Sequence, residues 1–204
     1  MSFWQNESPE QRLQKEKKRM RSYFREERKK LSVESRSLLD SALLANTAML
    51  PAFQNAPLIL FYYPVKGEPN LLPLARHALS LGKQIAFPRS DPNSNAMTFH
   101  TVRDLKELSI GAYDIPEPGA ELPAVTDFSH SICIVPALSF DYFGYRLGYG
   151  KGYYDRFLET YPGISMGLTY GPFLQERLPH EPHDKPVNLI VTEKGDMLPY
   201  EDFS

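Results

Sequence analysis

The chain is poor in cysteine and has no long apolar run, and each shortage excludes something. One cysteine, Cys133, stands among 204 residues, so no disulfide closes within the chain. It lies in the apolar run 131–135, whose neighbours offer no polar activation, and this favours a small core residue over a nucleophile. A reducing compartment, most simply the cytoplasm, is expected. No stretch approaches the roughly 18 apolar residues of a membrane span. Residues 1–10 lack an apolar signal core and already carry Glu7 and Glu10, so neither a secretory nor a transit peptide is expected. Internal repeats, low-complexity tracts and linkers are also missing. What is present is ordinary for a protein with a real core: 42% hydrophobic and 24% charged residues.

The net charge is only −2, yet it is uneven, because residues 12–30 carry ten basic and three acidic side chains. A basic arm of this kind is usually a solvated helix face, but it can meet a nucleic acid, a membrane surface or a small polyanion. Lys17 and Arg21 are four apart and share a helix face. Leu13, Met20, Phe24 and Leu31 form an apolar stripe beside them, so a docked helix can aim both cations at one anion. The other cations of the arm are expected to be exposed and replaceable.

Ser8-Pro9-Glu10 reads as a helix start, with a capping serine and proline at the first helical position. That helix is expected to reach about Leu31. Ser32 caps a second, with Leu38, Leu39, Ala42, Leu43 and Met49 as its apolar residues before Pro51. The continuous apolar run 58–63 predicts a buried strand. A helix over 71–81 ends at Gly82. Further strands are predicted at 84–87, 97–102, 132–135, 165–169 and 189–192, and 115–118 reads as a rigid extended connector. Tyr154, Phe157, Leu158 and Tyr161 have helical spacing. Strands alternate with helices, so one α/β unit spanning 1–204 is expected: three layers, α/β/α, with a mixed, largely parallel sheet and an N-terminal basic helix.

The most informative stretch is residues 140–155, FDYFGYRLGYGKGYYD. Four glycines fall between Gly144 and Gly152, with Arg146 and Lys151 among them and Asp155 after. A strand precedes the run and a helical pattern follows. Glycines free backbone N–H groups to close on an oxyanion, and a helix N-terminus adds partial positive charge. Arg146 and Lys151 can neutralise phosphate oxygens, and Asp155 can hold the accompanying magnesium. Two common phosphate motifs are excluded. Tyr145 and Gly152 break the Walker pattern, and Tyr153 stands where the dinucleotide fingerprint needs glycine.

Other residues keep two meanings at this stage. The stretch 180–184, HEPHD, is a loop with incidental histidines rather than a zinc site, because Pro182 breaks the required helix; Asp184 alone is the better ligand for a hard cation. Glu68 follows the strand at 58–63, where open sheets place ligand contacts, or it is a solvated loop acid. Tyr113 lines a pocket or seals a sheet edge. Tyr154 is a core residue or a stacking platform, with a hydroxyl that needs a partner.

The run Val135-Pro136-Ala137-Leu138-Ser139-Phe140-Asp141, followed by Gly144 to Asp155, resembles the signature of the 5-formyltetrahydrofolate cyclo-ligase (5,10-methenyltetrahydrofolate synthetase) family. Lys17 to Arg21, Glu68, Phe87-Pro88-Arg89, 113–118 and His183-Asp184-Lys185-Pro186-Val187 follow in the family's order, so nearly the whole chain is covered. The resemblance implies ATP- and magnesium-dependent closure of 5-formyltetrahydrofolate, with or without a polyglutamyl tail, to 5,10-methenyltetrahydrofolate. In that reaction the N5-formyl oxygen is phosphorylated and N10 then attacks. It further implies that Lys17, Arg21, Arg146, Gly148, Tyr149, Gly150, Lys151, Gly152 and Tyr153 bind the nucleotide phosphates, with Lys151 and Arg146 catalytic. Asp155 and Asp184 hold magnesium, and Glu68, Tyr113 and Tyr154 face the folate. No nucleic acid or membrane partner and a monomer or weak homo-oligomer are expected. Tyr149 stands where arginine is common, Ala137 and Ser139 replace Gly and Ala, and Asn188 replaces a frequent aspartate. The rival expectations are a folate- or nucleotide-binding protein without turnover, and a nucleic-acid-binding protein using the basic arm.

Overall fold

The computed structural model describes residues 7–94 and 96–201. The reading of the N-terminus as leaderless rests in part on residues 1–6, which lie outside them. No helix among the described residues is long and apolar enough to cross a membrane.

Helix α1 (Pro9–Lys30) starts with the expected cap, extended to a reciprocal pair: Ser8 Oγ accepts the Gln11 amide while Gln11 Oε1 accepts the Ser8 amide. Phe24 is buried, and Met20 and Leu31 pack against the same core. This stripe docks the helix and turns its cationic face inward. Arg28 overturns the expectation that the remaining arm cations are exposed. It is 1% exposed and donates to the carbonyls of Ala137 and Leu138.

Helices α2 (Val33–Met49), with Leu43 and Thr47 buried, and α3 (Pro51–Asn55) follow. Leu38 and Met49, counted in the apolar pattern of α2, are exposed. Strand β1 (Leu58–Leu60) is shorter than its apolar run. Phe61 still donates to Ala86, but beyond it the chain leaves the sheet toward Pro64. Next come α4 (Leu72–Ser80), β2 (Gln84–Ser90) and β3 (Met97–Val102). The connector read at 115–118 is paired: β4 (Leu108–Ile110) and β5 (Pro116–Pro118) form an antiparallel hairpin. After β6 (Ser131–Val135) come the short strands β7 (Ser139–Asp141) and β8 (Arg146–Leu147) and the six-residue α5 (Tyr153–Leu158). The chain ends with β9 (Ile164–Leu168), β10 (Leu174–Gln175), β11 (Leu189–Thr192) and β12 (Gly195–Met197).

The main sheet has the order β12-β11-β9-β6-β1-β2-β3, with five parallel strands in the middle and an antiparallel strand at each edge. Alternation along β6 separates the two cores. Ile132 and Ile134 meet the layer of α1 to α4, while Cys133 and Val135 meet α5 and Phe140. The three layers are therefore unequal: four helices cover one face, whereas one short helix and the small sheet β10-β7-β8 cover the other. Cys133 is a buried free thiol whose pKa burial pushes far up, as expected of a core residue.

Candidate functional site

From β1 the chain passes to β2 on one side and later returns as β6 on the other, so the order reverses between β1 and β6. Open α/β sheets bind ligands beyond such a point, at the strands' carboxyl ends. A cleft of about 410 Å³ lies there, bounded by Tyr62 and Tyr63 after β1, Pro88 and Ser90 of β2, and Pro136 after β6. Every residue named from the sequence as a site residue lines it, from Lys17, Arg21, Glu68 and Tyr113 to Arg146, the loop 148–155 and Asp184.

The glycine loop joins β8 to α5. Asp141 anchors its base by accepting the amides of Phe143, Tyr145 and Leu178, while burial pushes its carboxyl above the usual range. Gly150 has φ +94° and lies beside the Arg21 guanidinium, where a side chain would be strained. Gly148 has its φ outside the left-handed region, and a Cβ there would meet nothing within 4 Å. Its glycine is not required by packing and leaves open space at the cleft wall.

Two cations of the cleft, Lys17 and Arg146, are paired with its carboxylates. Lys17 is 4% exposed, and its ammonium donates to Glu181 Oε2 at 2.8 Å and Asp184 Oδ2 at 2.5 Å. Arg146 donates to Asp155 Oδ1 and to the Lys185 carbonyl. Arg21 Nε donates to the Gly148 carbonyl at 2.9 Å. Burial pushes the Asp184 carboxyl up, but Lys17 and the Glu181 amide outweigh it and hold the group below the usual carboxylate range. Asp155 and Asp184 line one cleft, and the Lys185 amide lies 3.4 Å from Asp155 Oδ1. The tight group of candidate ligand atoms is instead Glu181, His183 and Asp184, within 4.8 Å of one another. The Lys17 ammonium is bonded to two of these three, Glu181 and Asp184.

On the other wall, Tyr113 faces the cleft and does not seal an edge. Its hydroxyl meets that of Tyr153 at 2.9 Å, and the Lys151 ammonium lies 5.8 Å from its ring centre. Tyr113 and Asp114 both have left-handed backbones, φ 59° and 58°, a strain stored beside the cleft. Buried Glu117 holds this turn, accepting the amides of Ser90 and Ala112. Tyr154 is a core residue, its ring packed in the same cluster as Phe157, and its buried hydroxyl has no partner among the described residues.

Glu68 is not a solvated loop acid. It is 5% exposed, accepts the Val65 amide and the Tyr149 hydroxyl, and burial pushes its carboxyl up to about 7. Sequence reasoning missed Arg25, Lys66, Glu117 and Glu181. Only Arg25 carried a signal, since it extends the four-residue ladder of Lys17 and Arg21; Lys66 and Glu181 are brought in by loops and Glu117 by the hairpin strand β5.

Fold and cleft together define an α/β protein with a cleft at the switch point of a largely parallel sheet, the place where open sheets bind ligands. The chain belongs to the 5-formyltetrahydrofolate cyclo-ligase family, whose model matches residues 13–193. It is similar to the 5-formyltetrahydrofolate cyclo-ligase of Escherichia coli (strain K12), at 27% identity over 174 residues, covering 83% of this chain and 96% of that one. The solved 5,10-methenyltetrahydrofolate synthetase of Aquifex aeolicus superposes with a TM-score of 0.80 at 34% identity, covering 92% and 95% of the two chains. That of Mycoplasma pneumoniae, at 22% identity and a TM-score of 0.69 over 87% and 98% of the chains, shares the fold.

Proposed function

We propose that this protein is an ATP- and magnesium-dependent ligase that closes 5-formyltetrahydrofolate to 5,10-methenyltetrahydrofolate, releasing ADP and phosphate, in the cytoplasm. One observation carries the proposal. A buried acid, Glu68, and the cation-bearing glycine loop share one cleft at the switch point of the sheet. Glu68 is suited to the donor-rich pterin ring, and the loop to phosphates.

The formyl oxygen on N5 is amide-like, a weak nucleophile and a poor leaving group, so the reaction must phosphorylate it before N10 attacks the carbon. Catalysis then rests on positioning and charge neutralisation. Lys151, Arg21 and Arg146 neutralise phosphate oxygens, and the open space at Gly148 lets them approach the backbone. Glu68, Tyr113 and Tyr154 orient the folate.

The donor set fits magnesium. Asp155 and Asp184 are carboxylates in one cleft, and hydrogen bonds engage Oδ1 of the first and Oδ2 of the second. These two residues would hold the ion, which when bound offsets phosphate charge.

The test is an absorbance assay for methenyl-folate. Product should form only when ATP and magnesium are both supplied. A chain that binds 5-formyltetrahydrofolate but consumes no ATP is a binding protein instead.

A further inference from the structure

Tyr149 stands in the glycine loop, where the family pattern points to nucleotide phosphates. Its hydroxyl is engaged elsewhere. It donates to Glu68 Oε1 at 2.8 Å, while Glu68 Oε2 accepts the Val65 amide at 2.9 Å. Its ring packs against the core, with the Lys66 ammonium 5.6 Å and the Arg25 guanidinium 5.9 Å from the ring centre. Two walls of the cleft, the segment after β1 and the glycine loop, meet in this bond.

We propose that Tyr149 is a positioning residue for the folate: its hydroxyl holds the Glu68 carboxylate ready to accept hydrogen bonds from the donor-rich end of the substrate. This rests on the functional reading above and deepens it. A carboxylate with one oxygen on a backbone amide and the other on a phenol has lost its rotational freedom, so little ordering is left when substrate arrives. The phenol also helps keep the acid ionised. Burial raises the Glu68 carboxyl, whereas the Val65 amide, the Tyr149 hydroxyl, Arg28 of α1 and Lys66 of its own loop pull it back down. Arg25 and the buried phenols of Tyr62 and Tyr154 also face the Glu68–Tyr149 pair. Removing the phenol donor leaves more Glu68 protonated near neutrality, and a protonated acid is a poorer acceptor.

The experiment compares Tyr149→Phe, Glu68→Gln and the double variant by equilibrium binding of 5-formyltetrahydrofolate and by initial rates from pH 6 to 9. Tyr149→Phe should raise KM for the folate about tenfold at pH 7, the size of one hydrogen bond to a charged group. KM for ATP should be unchanged. The acidic limb of kcat/KM for the folate should move to higher pH, and the defect should shrink by pH 9. On a Glu68→Gln background the substitution should have no further effect, because both act through one carboxylate. A raised KM for ATP with unchanged folate KM would assign Tyr149 to the phosphates and overturn the proposal. So would a defect that is independent of pH and multiplies with that of Glu68→Gln. A wild-type chain that binds no 5-formyltetrahydrofolate overturns the functional reading itself.

Discussion

Arg146 and Asp155 are hydrogen-bonded to each other inside the cleft, with the guanidinium 4% exposed. The cation assigned to phosphate and the carboxylate assigned to magnesium thus neutralise one another. Lys17 and Asp184 repeat the arrangement 2.5 Å apart. Each such carboxylate has a protein cation, which spares it the cost of an unpaired charge in a partly buried place.

Asp155→Asn and Asp184→Asn should each raise the magnesium concentration for half-maximal activity and lower the maximal rate. If both act through one ion, the double variant should lose less than the product of the single losses. Asp184→Asn should also lower stability by about 2 kcal/mol at pH 7, because buried Lys17 keeps only Glu181 as a charged partner. The Asp184 carboxyl lies below its ordinary value, so this stability is present above the unfolded pKa and lost as pH falls through the folded one. Melting curves from pH 7 down to 3 should converge for wild type and variant. Unchanged magnesium dependence in both single variants would separate the aspartates from the metal.

Lys151 is exposed on the glycine loop and makes a ring contact with Tyr113. Lys151→Ala should therefore leave Tm unchanged while cutting turnover by at least about a hundredfold, the usual cost of one transition-state charge contact. Steady-state rates with near-wild-type kcat would remove Lys151 from the chemistry.

Two glycines of the loop should respond differently. At Gly148 φ lies outside the left-handed region and a methyl group would meet open space, so Gly148→Ala should fold normally and weaken ATP binding by narrowing the cradle. At Gly150, φ +94° penalises any side chain, so Gly150→Ala should cost about 1–2 kcal/mol of stability as well. Thermal melts beside ATP titrations distinguish them; equal ATP affinity for Gly148→Ala and wild type would show that no phosphate approaches that position.

Glu68 carries a stability cost. Its carboxyl is pushed up to about 7 by burial, above the value of about 4.3 expected when unfolded. The native state binds more protons than the unfolded one between those values, so stability should fall as pH rises from about 4.5 to 7. Glu68→Gln removes the charge, while its amide oxygen can still accept the Val65 N–H. The variant should lose that slope and be more stable by roughly 3 kcal/mol at pH 8, following from the shift at 1.36 kcal/mol per pKa unit, while losing folate affinity. Urea unfolding at pH 5 and pH 8 measures it; a difference between wild type and Glu68→Gln that is the same at both pH values would show that burial does not raise the Glu68 carboxyl.

The local code decided the elements and the family. Ser8 and Ser32 start their helices through side-chain oxygens that accept local amides, and the strands 97–102 and 189–192 stand where apolar patterning puts them. The glycine run was legible for the same reason, since spacing alone shows where backbone amides and cations can crowd. Pairings between distant segments were not legible. The β4–β5 hairpin hides in a proline-rich stretch, and strands such as β8 and β10 are two residues long, held by partners and not by propensity. Nothing in the sequence told buried Arg28 from its exposed neighbours, or put Glu181 on Lys17, because burial and ion pairing depend on what folds over a side chain. The direction of the Tyr149 hydroxyl was settled in the same way, by a glutamate 81 positions away that packing brings within 2.8 Å.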